Sequence, residues 1–351
     1  MVTTSHFRKY VRLVRLENCI IAVLGVLIGI HLSQSNLSSL QSVIVTLSAF
    51  FIMAGGNVIN NYFDRDPDKE NPIKLERNPF ASGQISPKYG MAISAMLFVS
   101  GLTIAFFSLN SWVILIACIA TGALVAYTPI KHKGFLNGLV SNFIISFLIG
   151  LLFVYGWSMF GKATEVITTG LSFAFLFSFL TTMAREIVKG VVDSEADKRS
   201  QIRTLASSYG NLNVAIAIAT MILFITIILS PLPYLLGTFS IPYLVLVLLT
   251  DIVLISAFLP LWFNTSPSNA DAMKDRIRIG MVLGLLAFLF GNTKVTSTSL
   301  LFVIGDTPLA NITSQFAISV FDATTLLIIA IIPVISLVFT LRLRTKYARQ
   351  E

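Results

Sequence analysis

The stretch "NVINNYFDRDPDKENP", residues 57–72, ends a long apolar run and gathers three carboxylates, Asp64, Asp66 and Asp68, within five positions. A second acidic stretch, "KGVVDSEADKRSQ" at residues 189–201, follows another apolar run in the same way. Acidic clusters placed where two apolar helices end predict a pair of related polar sites at one membrane surface.

The composition predicts an all-α protein, a polytopic bundle of transmembrane helices. Of the 351 residues, 55% are hydrophobic and 12% are charged. Apolar stretches of 18 or more residues recur, and each can cross about 30 Å of hydrocarbon as a helix. The formal net charge of +8 is spread over short loops, which is typical of membrane topology. We therefore expect membrane lipid around the chain and no nucleic-acid partner.

Hydropathy predicts nine to ten spans, because Lys294 and the polar run "GNTKVTSTS" (291–299) blur the end of the ninth. Residues 1–294 are expected to form the bundle, and residues 295–351 an external loop with an additional C-terminal transmembrane helix. The predicted spans are residues 16–34, 39–61, 88–108, 111–129, 135–158, 167–189, 211–230, 238–262, 278–294 and 321–341.

The basic residues predict the orientation of these spans. If the N-terminus is cytoplasmic, the loops and tails on that side hold 23 of the 25 Lys and Arg residues, and only Lys162 and Lys294 lie outside. This distribution follows the positive-inside rule. It predicts a multi-pass protein of the cell membrane with both termini and both acidic clusters on the cytoplasmic side.

The first cluster has the spacing of one helix face. Asn60, Asp64 and Asp68 lie four residues apart, so they share a face if the helix continues. Pro67 biases the residue before it away from helical geometry. We therefore expect Asp68 to join Asn60 and Asp64 only through a bend.

The second cluster extends the same spacing over a longer stretch. Arg185, Lys189, Asp193 and Asp197 each lie four residues apart, so two cations precede two carboxylates along one helix. A third pair at this spacing, Tyr127 and Lys131, ends the fourth predicted span.

This combination predicts a diphosphate site. Carboxylates that face one another need a cation between them, and oxygen ligands favour hard ions such as Mg²⁺, which also binds substrate phosphates. Neighbouring Lys and Arg suit the remaining phosphate oxygens. Beside an apolar bundle, the natural ligand is a lipid diphosphate. The alternative is that both clusters are solvated helix ends, and their equal spacing on the same side argues against it.

These motifs resemble those of the UbiA family of intramembrane prenyltransferases. The resemblance rests on Asn-x-x-x-Asp-x-x-x-Asp after the second span and Asp-x-x-x-Asp after the sixth, and it covers roughly residues 12–290. The supporting segments are "RLENCIIAVLGVLIG" (15–29), "RNPFASGQIS" (77–86), "YTPIKHKGFLNGLVSN" (127–142) and "REIVKGVVDSEADK" (185–198).

The resemblance implies a cytoplasm-facing active-site cavity and a role for each matching residue. An allylic diphosphate ionises there, Mg²⁺ and cations neutralise the departing diphosphate, and an acceptor captures the allylic cation. Tyr127 is implied to lie near the reacting carbon, with Lys131 and Arg77 on the diphosphate. The implied metal site comprises Asn60, Asp64, Asp68, Asp193 and Asp197, and the implied head-group contacts are Arg15, Asn18, Lys133, Arg185 and Lys189.

The sequence departs from the family pattern at three places. The position after Asn60, commonly Asp, is Asn61. The segment "KENPIKLE" (69–76), between Asp68 and Arg77, is longer than usual. The tenth predicted span exceeds the family's usual nine.

The acceptor expected from the archaeal resemblance is geranylgeranylglyceryl phosphate, with geranylgeranyl as the transferred group. Within the class, the alternative is an aromatic acceptor for a quinone. A membrane transporter is an alternative of another class, because Asp251 lies mid-span in "VLLTDIVLI" (247–255) and intramembrane acids often mark ion paths. Pairing of Asp251 with a polar group of a neighbouring helix is the simpler explanation. Charges grouped at one surface, not at the midplane, favour the enzyme.

Overall fold

The described residues of a computed structural model are 3–33, 39–70, 72–132, 138–160, 169–199, 204–208 and 212–291. Across these ranges the chain is helical, with a 3₁₀ turn at Pro87–Tyr89 and no β-strand, which confirms the all-α class. The helices are α1 Thr3–Val14, α2 Leu16–Leu32, α3 Leu40–Phe63, α4 Arg65–Lys69, α5 Pro72–Leu75, α6 Gly90–Phe106, α7 Ser111–His132, α8 Leu139–Ser158, α9 Thr169–Arg199, α10 Leu205–Ser208, α11 Leu212–Leu229, α12 Leu232–Leu235, α13 Ile241–Phe263 and α14 Pro267–Phe290.

Nine of the predicted spans coincide with described helices, and the tenth, residues 321–341, lies outside the described residues. Among the described helices, six are long and apolar enough to cross a membrane. A seventh is obtained if the end of α1 and α2, which meet at 51°, count as one span.

Helix α14 begins eleven residues before the ninth predicted span. Ser266 caps it by accepting a hydrogen bond from the Asn269 amide at 3.4 Å, and Pro267 fills its first position. Hydropathy placed the start of the span after the charged residues of α14, whereas the helix itself starts at the Ser266 cap. The charged segment 271–278 is therefore helical and belongs to the site described below.

The break between α1 and α2 is stabilised by amide side chains of α3. Arg15 adopts a left-handed backbone conformation there, with φ 48°. The carbonyl groups left unpaired at the end of α1 accept hydrogen bonds at 2.9 Å, Val14 from Asn57 Nδ2 and Leu13 from Asn61 Nδ2. Because Asn57 and Asn61 are one turn apart, a single face of α3 fixes the break.

Helices α2 and α8 cross at glycines. A Cβ atom on Gly29 would lie 2.1 Å from the Phe153 carbonyl oxygen, and one on Gly156 would lie 2.0 Å from that of Val26. Only glycine permits this backbone approach, which is a common device in packed membrane helices.

The long helices pack in chain order, and α14 closes the bundle by packing on both α9 and α2. Large apolar side chains are exposed on the outer helices, as expected for surfaces that face lipid; examples are Met96, Val99, Met221, Phe224 and Ile252. The closure by α14 brings α2, α9 and α14 together around the acidic motifs.

Candidate active site

The first acidic motif continues the helix that carries it. The Asp64 amide donates to the Asn60 carbonyl at 2.9 Å, and the Asp68 amide donates to the Asp64 carbonyl at 2.8 Å. All three side chains are buried. The backbone hydrogen bonds thus continue from α3 into α4 across the turn. Asp68 therefore shares a helix face with Asn60 and Asp64.

Asn78, a residue that the sequence analysis did not single out, holds this motif in place. Its Nδ2 donates to Asp68 Oδ2 at 2.9 Å and to the Asn61 carbonyl at 2.8 Å. Its Oδ1 accepts from the Phe80 amide at 3.0 Å. The only sequence signal was its place in the quoted "RNPFASGQIS" segment.

Burial of the first motif changes its acidity. Burial, together with the charge of the neighbouring Asp64, raises the pKa of Asp68. Lys74 and the hydrogen bond from Asn78 act in the opposite direction.

Asn61, where the family commonly has Asp, serves the helix break. Its Oδ1 accepts from Arg15 Nε at 3.0 Å and from Nη2 at 2.5 Å. Asn18, predicted to contact a head group together with Arg15, donates to Asn57 Oδ1 at 3.3 Å. The described contacts of Arg15 and Asn18 therefore position α2 against α3.

The second motif lies on the last turns of α9, with Asp193 and Asp197 both buried. Arg185 and Lys189 bind one carboxylate, Glu186, at 2.8 Å and 3.3 Å. Glu186 was missed because its position interrupts the four-residue spacing that identified the others. Arg185 Nε is buried without a hydrogen-bond partner among the described residues.

Lys74 joins the two motifs. Its Nζ lies 2.5 Å from Asp193 Oδ2 and 3.7 Å from Asp68 Oδ1. Within the described ranges, no three acidic, histidine or cysteine side chains converge closely enough to hold a metal ion by themselves. A cation does stand between the motifs, as the sequence predicted, but in this structure it is an ammonium group.

The residues present nevertheless fit a hard divalent ion. Asn60 Oδ1 and Asp193 Oδ1 are both buried and lack a hydrogen-bond partner in the described part of the chain. Buried oxygen atoms are almost always paired. One or two carboxylates suffice for Mg²⁺, which keeps several of its own waters.

Tyr127, the remaining aromatic candidate, is buried in α7. Lys131 belongs to the last turn of α7, but its side chain lies outside the described residues, as does all of Lys133.

Comparison with known proteins identifies the chain. Residues 22–284 match the UbiA prenyltransferase family. The chain belongs to this family. It is 34% identical over 295 residues to the digeranylgeranylglyceryl phosphate synthase of Methanocaldococcus jannaschii, an alignment that covers 84% of this chain and 99% of the relative.

Two solved structures share the fold of this UbiA prenyltransferase. A structure described as giving insights into digeranylgeranylglyceryl phosphate synthase in membranes superposes with a TM-score of 0.61 at 33% identity, covering 81% of this chain and 98% of that one. A UbiA homologue from Archaeoglobus fulgidus, bound to DMAPP and Mg²⁺, superposes with a TM-score of 0.56 at 21% identity, covering 80% and 99%. The chain is therefore a multi-pass membrane prenyltransferase.

In this UbiA prenyltransferase, Arg77 pairs with α14. Its two terminal nitrogens lie 3.4 Å and 3.2 Å from the Asp271 carboxylate, which also binds Lys274. Burial alone would raise the pKa of Asp271, but Lys274 and Arg77 lower it well below its usual range. Burial lowers the pKa of Lys274 to about 8, against the attraction of Asp271 and Asp275.

The sequence analysis used the basic residues of this segment of α14 only to predict membrane orientation. Lys274 and Arg278 are both buried, and such burial of cations needs carboxylates or a bound anion nearby. The three-residue spacing of Asp271 and Lys274, and of Asp275 and Arg278, was the available signal.

An apolar pocket lies within the bundle, lined by residues of α2, α8, α9, α11, α13 and α14. Phe177 and Thr181 of α9 line it, followed along the same helix by Arg185 and the second motif. Twelve residues of helix separate Thr181 from Asp193, or about 18 Å.

Asp251 also lines the pocket and accepts a hydrogen bond from Ser230 Oγ at 2.6 Å. The structure thus shows the simpler of the two explanations for this intramembrane acid. Its other oxygen, Oδ1, has no hydrogen-bond partner among the described residues.

Proposed function

We propose that this protein transfers a geranylgeranyl group from an isoprenoid diphosphate to geranylgeranylglyceryl phosphate, in the synthesis of archaeal ether lipids. The observation that carries the proposal is the juxtaposition of two buried carboxylate motifs with cations, the second of them on α9, a helix that also lines an apolar pocket. A charged head and an isoprenoid tail are the ligand parts that such a site accommodates. The archaeal relative named above supports the choice of acceptor.

Asn60, Asp64, Asp68, Asp193 and Asp197 are the residues that would hold Mg²⁺. Their oxygen atoms and the two unpaired ones among them support this assignment. When bound, Mg²⁺ supplies positive charge to the diphosphate leaving group.

The chain's own cations complete the neutralisation of the diphosphate. Lys131 and Arg77 act on the donor, and Lys133 extends this basic segment. Apolar walls around the tail exclude water, which would otherwise capture the allylic cation before the acceptor does. Tyr127 lies near the reacting carbon in this arrangement, where an aromatic ring can stabilise positive charge.

The acceptor phosphate needs cations beyond those used by the donor. Arg185 and Lys189, anchored on Glu186, are available on α9, and the unpaired Arg185 Nε supports a further anion contact. Buried Lys274 and Arg278 of α14 add positive charge on the facing helix. Arg15 and Asn18 position α2 against α3 through Asn61 and Asn57.

We also propose the finer topology. The chain crosses the membrane nine to ten times. Its N-terminus and its active-site cavity lie on the cytoplasmic side, as the distribution of basic residues favours. Residues 1–294 form the catalytic bundle, and residues 295–351 add an external loop and a further helix. About four fifths of the chain covers nearly all of each relative, which supports this division.

The decisive experiment incubates purified protein with Mg²⁺, geranylgeranyl diphosphate and a panel of acceptors, and identifies products by mass. We expect the doubly alkylated glyceryl phosphate, and no product in excess chelator. Prenylation of 4-hydroxybenzoate or a naphthoate without the glyceryl product would assign an aromatic acceptor instead. No product with any acceptor would refute the transferase assignment.

A further inference from the structure

Lys74 lies in the segment 69–76, the part of the chain that departs from the usual family length. The short helix α5 carries it to the gap between the motifs, where its ammonium reaches both Asp68 and Asp193. This segment thereby brings a cation to the centre of the acidic site.

Burial distinguishes this contact from a surface ion pair. The Asp68 and Asp193 side chains are 6% and 8% exposed, whereas Lys74 is 23% exposed. The acids are thus enclosed by protein, and the ammonium reaches them from a partly open side. Asp193 uses Oδ2 for Lys74, while its Oδ1 has no hydrogen-bond partner among the described residues.

A divalent ion that used both Asp193 oxygens, or Oδ2 alone, would compete with Lys74 for Oδ2. Mg²⁺ binds carboxylate oxygens at about 2.0–2.1 Å, so an ion on Asp193 Oδ2 would stand at most roughly 4.6 Å from Nζ in its present position. Two cations so close in a buried site repel strongly, because the surroundings screen them little.

We propose that Lys74 is a tethered cation that holds the two acidic motifs together in the metal-free enzyme and is displaced when a divalent ion binds. This inference rests on the proposed function, since it concerns the same metal site. Displacement is feasible because the lysine ammonium is carried on a flexible four-carbon stem and one side of it is open to solvent. Lys74 therefore weakens metal binding and prevents the motifs from repelling each other before the metal arrives.

The first test measures Mn²⁺ binding by electron paramagnetic resonance, on the full chain in detergent and without substrate. Mn²⁺ serves as the probe because it accepts the same oxygen ligands as Mg²⁺. Lys74→Gln should bind Mn²⁺ about tenfold more tightly than wild type, the lower end of what one charge-assisted contact supports.

Lys69→Gln is the matched control. It removes the same charge from the same segment, but Lys69 contacts exposed Asp66 at 3.0 Å. Its Mn²⁺ affinity should stay within about twofold of wild type, since exposed pairs contribute little. Equal tightening in both variants would mean a general charge effect and would overturn the inference, as would unchanged or weaker binding in Lys74→Gln.

The second test needs no variant. A water-soluble acylating reagent is applied to wild-type protein with and without Mn²⁺ at constant ionic strength, and modification is read by peptide mass. Metal should increase labelling of Lys74 at least about threefold relative to Lys69, because displacement frees an amine that Asp193 had enclosed. No increase would overturn the displacement.

Asp193→Asn separates the two proposals. If wild type binds Mn²⁺ and Asp193→Asn does not, the metal site stands, and only the Lys74 results decide the inference. If wild type binds no Mn²⁺ without substrate, the displacement is refuted, and the metal assignment is decided separately by the loss of product in excess chelator.

Discussion

The first acidic motif spans the turn between α3 and α4 and is held by the Asn78 side chain, whereas the second lies on the uninterrupted last turns of α9. Asn78 clamps Asp68 to the loop that follows it. Asp193, in contrast, has Lys74 on one oxygen and no hydrogen-bond partner on the other among the described residues.

The difference indicates that the two acidic motifs have different roles. Hydrogen-bonded amides fix carboxylates without adding charge, so the first motif is preorganised to receive a cation. The second motif lies on a continuous helix, where Lys74 pairs with Asp193 Oδ2 and Asp193 Oδ1 has no hydrogen-bond partner among the described residues. We therefore expect changes in the first motif to affect both folding and activity, and changes in the second to affect activity.

The largest expected effect follows from removing the second motif's charge. Asp193→Asn keeps the side-chain shape but should lower turnover at least about 10²–10³-fold, because a contact to the ion that neutralises the leaving group is lost. Product formation measured by mass, with size-exclusion profile as the folding check, tests this.

Asp66→Asn is the control for that change. Asp66 lies in the same cluster as Asp64 but is exposed and pairs with Lys69 at the surface. It should retain turnover within about threefold, since surface pairs contribute little. Equal losses in Asp66→Asn and Asp193→Asn would contradict the division between metal ligands and surface acids.

Asn78→Ala tests whether the first motif depends on its clamp. The change removes the donor shared by Asp68 and the Asn61 carbonyl, and leaving buried acceptors unpaired costs about 1–3 kcal/mol. Thermal unfolding in detergent should show that loss, together with weaker Mn²⁺ binding. Ser82→Ala, which loses one bond to the Asn78 carbonyl, should unfold closer to wild type.

Lys189→Ala tests the assignment of the α9 cations to the acceptor. A charge-assisted contact is worth about 1.5–3 kcal/mol, but Lys189 already binds Glu186, so we expect about a tenfold rise in KM for geranylgeranylglyceryl phosphate. The KM for the diphosphate donor should change less, and Lys131→Ala should do the reverse. Arg199→Ala, at the exposed end of α9, should change neither constant. A parallel rise for donor and acceptor in Lys189→Ala would refute the selectivity.

The smallest expected effect concerns pH and the pairing of Arg77 with α14. The pKa of Asp271 is lowered from 3.8 in the folded state, so its stabilising contribution is present above pH 3.8 and is lost as the pH falls below that value. The melting temperature of wild type should exceed that of Asp271→Asn by a constant few degrees between pH 5 and 7, and the gap should close in more acidic buffer. A gap that widened on acidification would contradict the sign.

The sequence alone predicted much of this site. Regular four-residue spacing identified Asn60, Asp64, Asp68, Asp193 and Asp197, because residues one turn apart share a helix face. Hydropathy identified nine of the helices because a membrane span is a helix whose side chains form a continuous apolar run. The roles of these acids as metal ligands stay predictions.

Only the tertiary structure decided which charges meet. Asn78, Glu186 and Lys74 carry no four-residue signal, and Asp271 carries only its three-residue spacing to Lys274. Arg77 contacts Asp271, 194 positions later in the chain, and its predicted role on the diphosphate stays a prediction. Spacing along a sequence reports neighbours on one helix, whereas the closure of α14 against α2 and α9 determines which side chains face each other across the bundle.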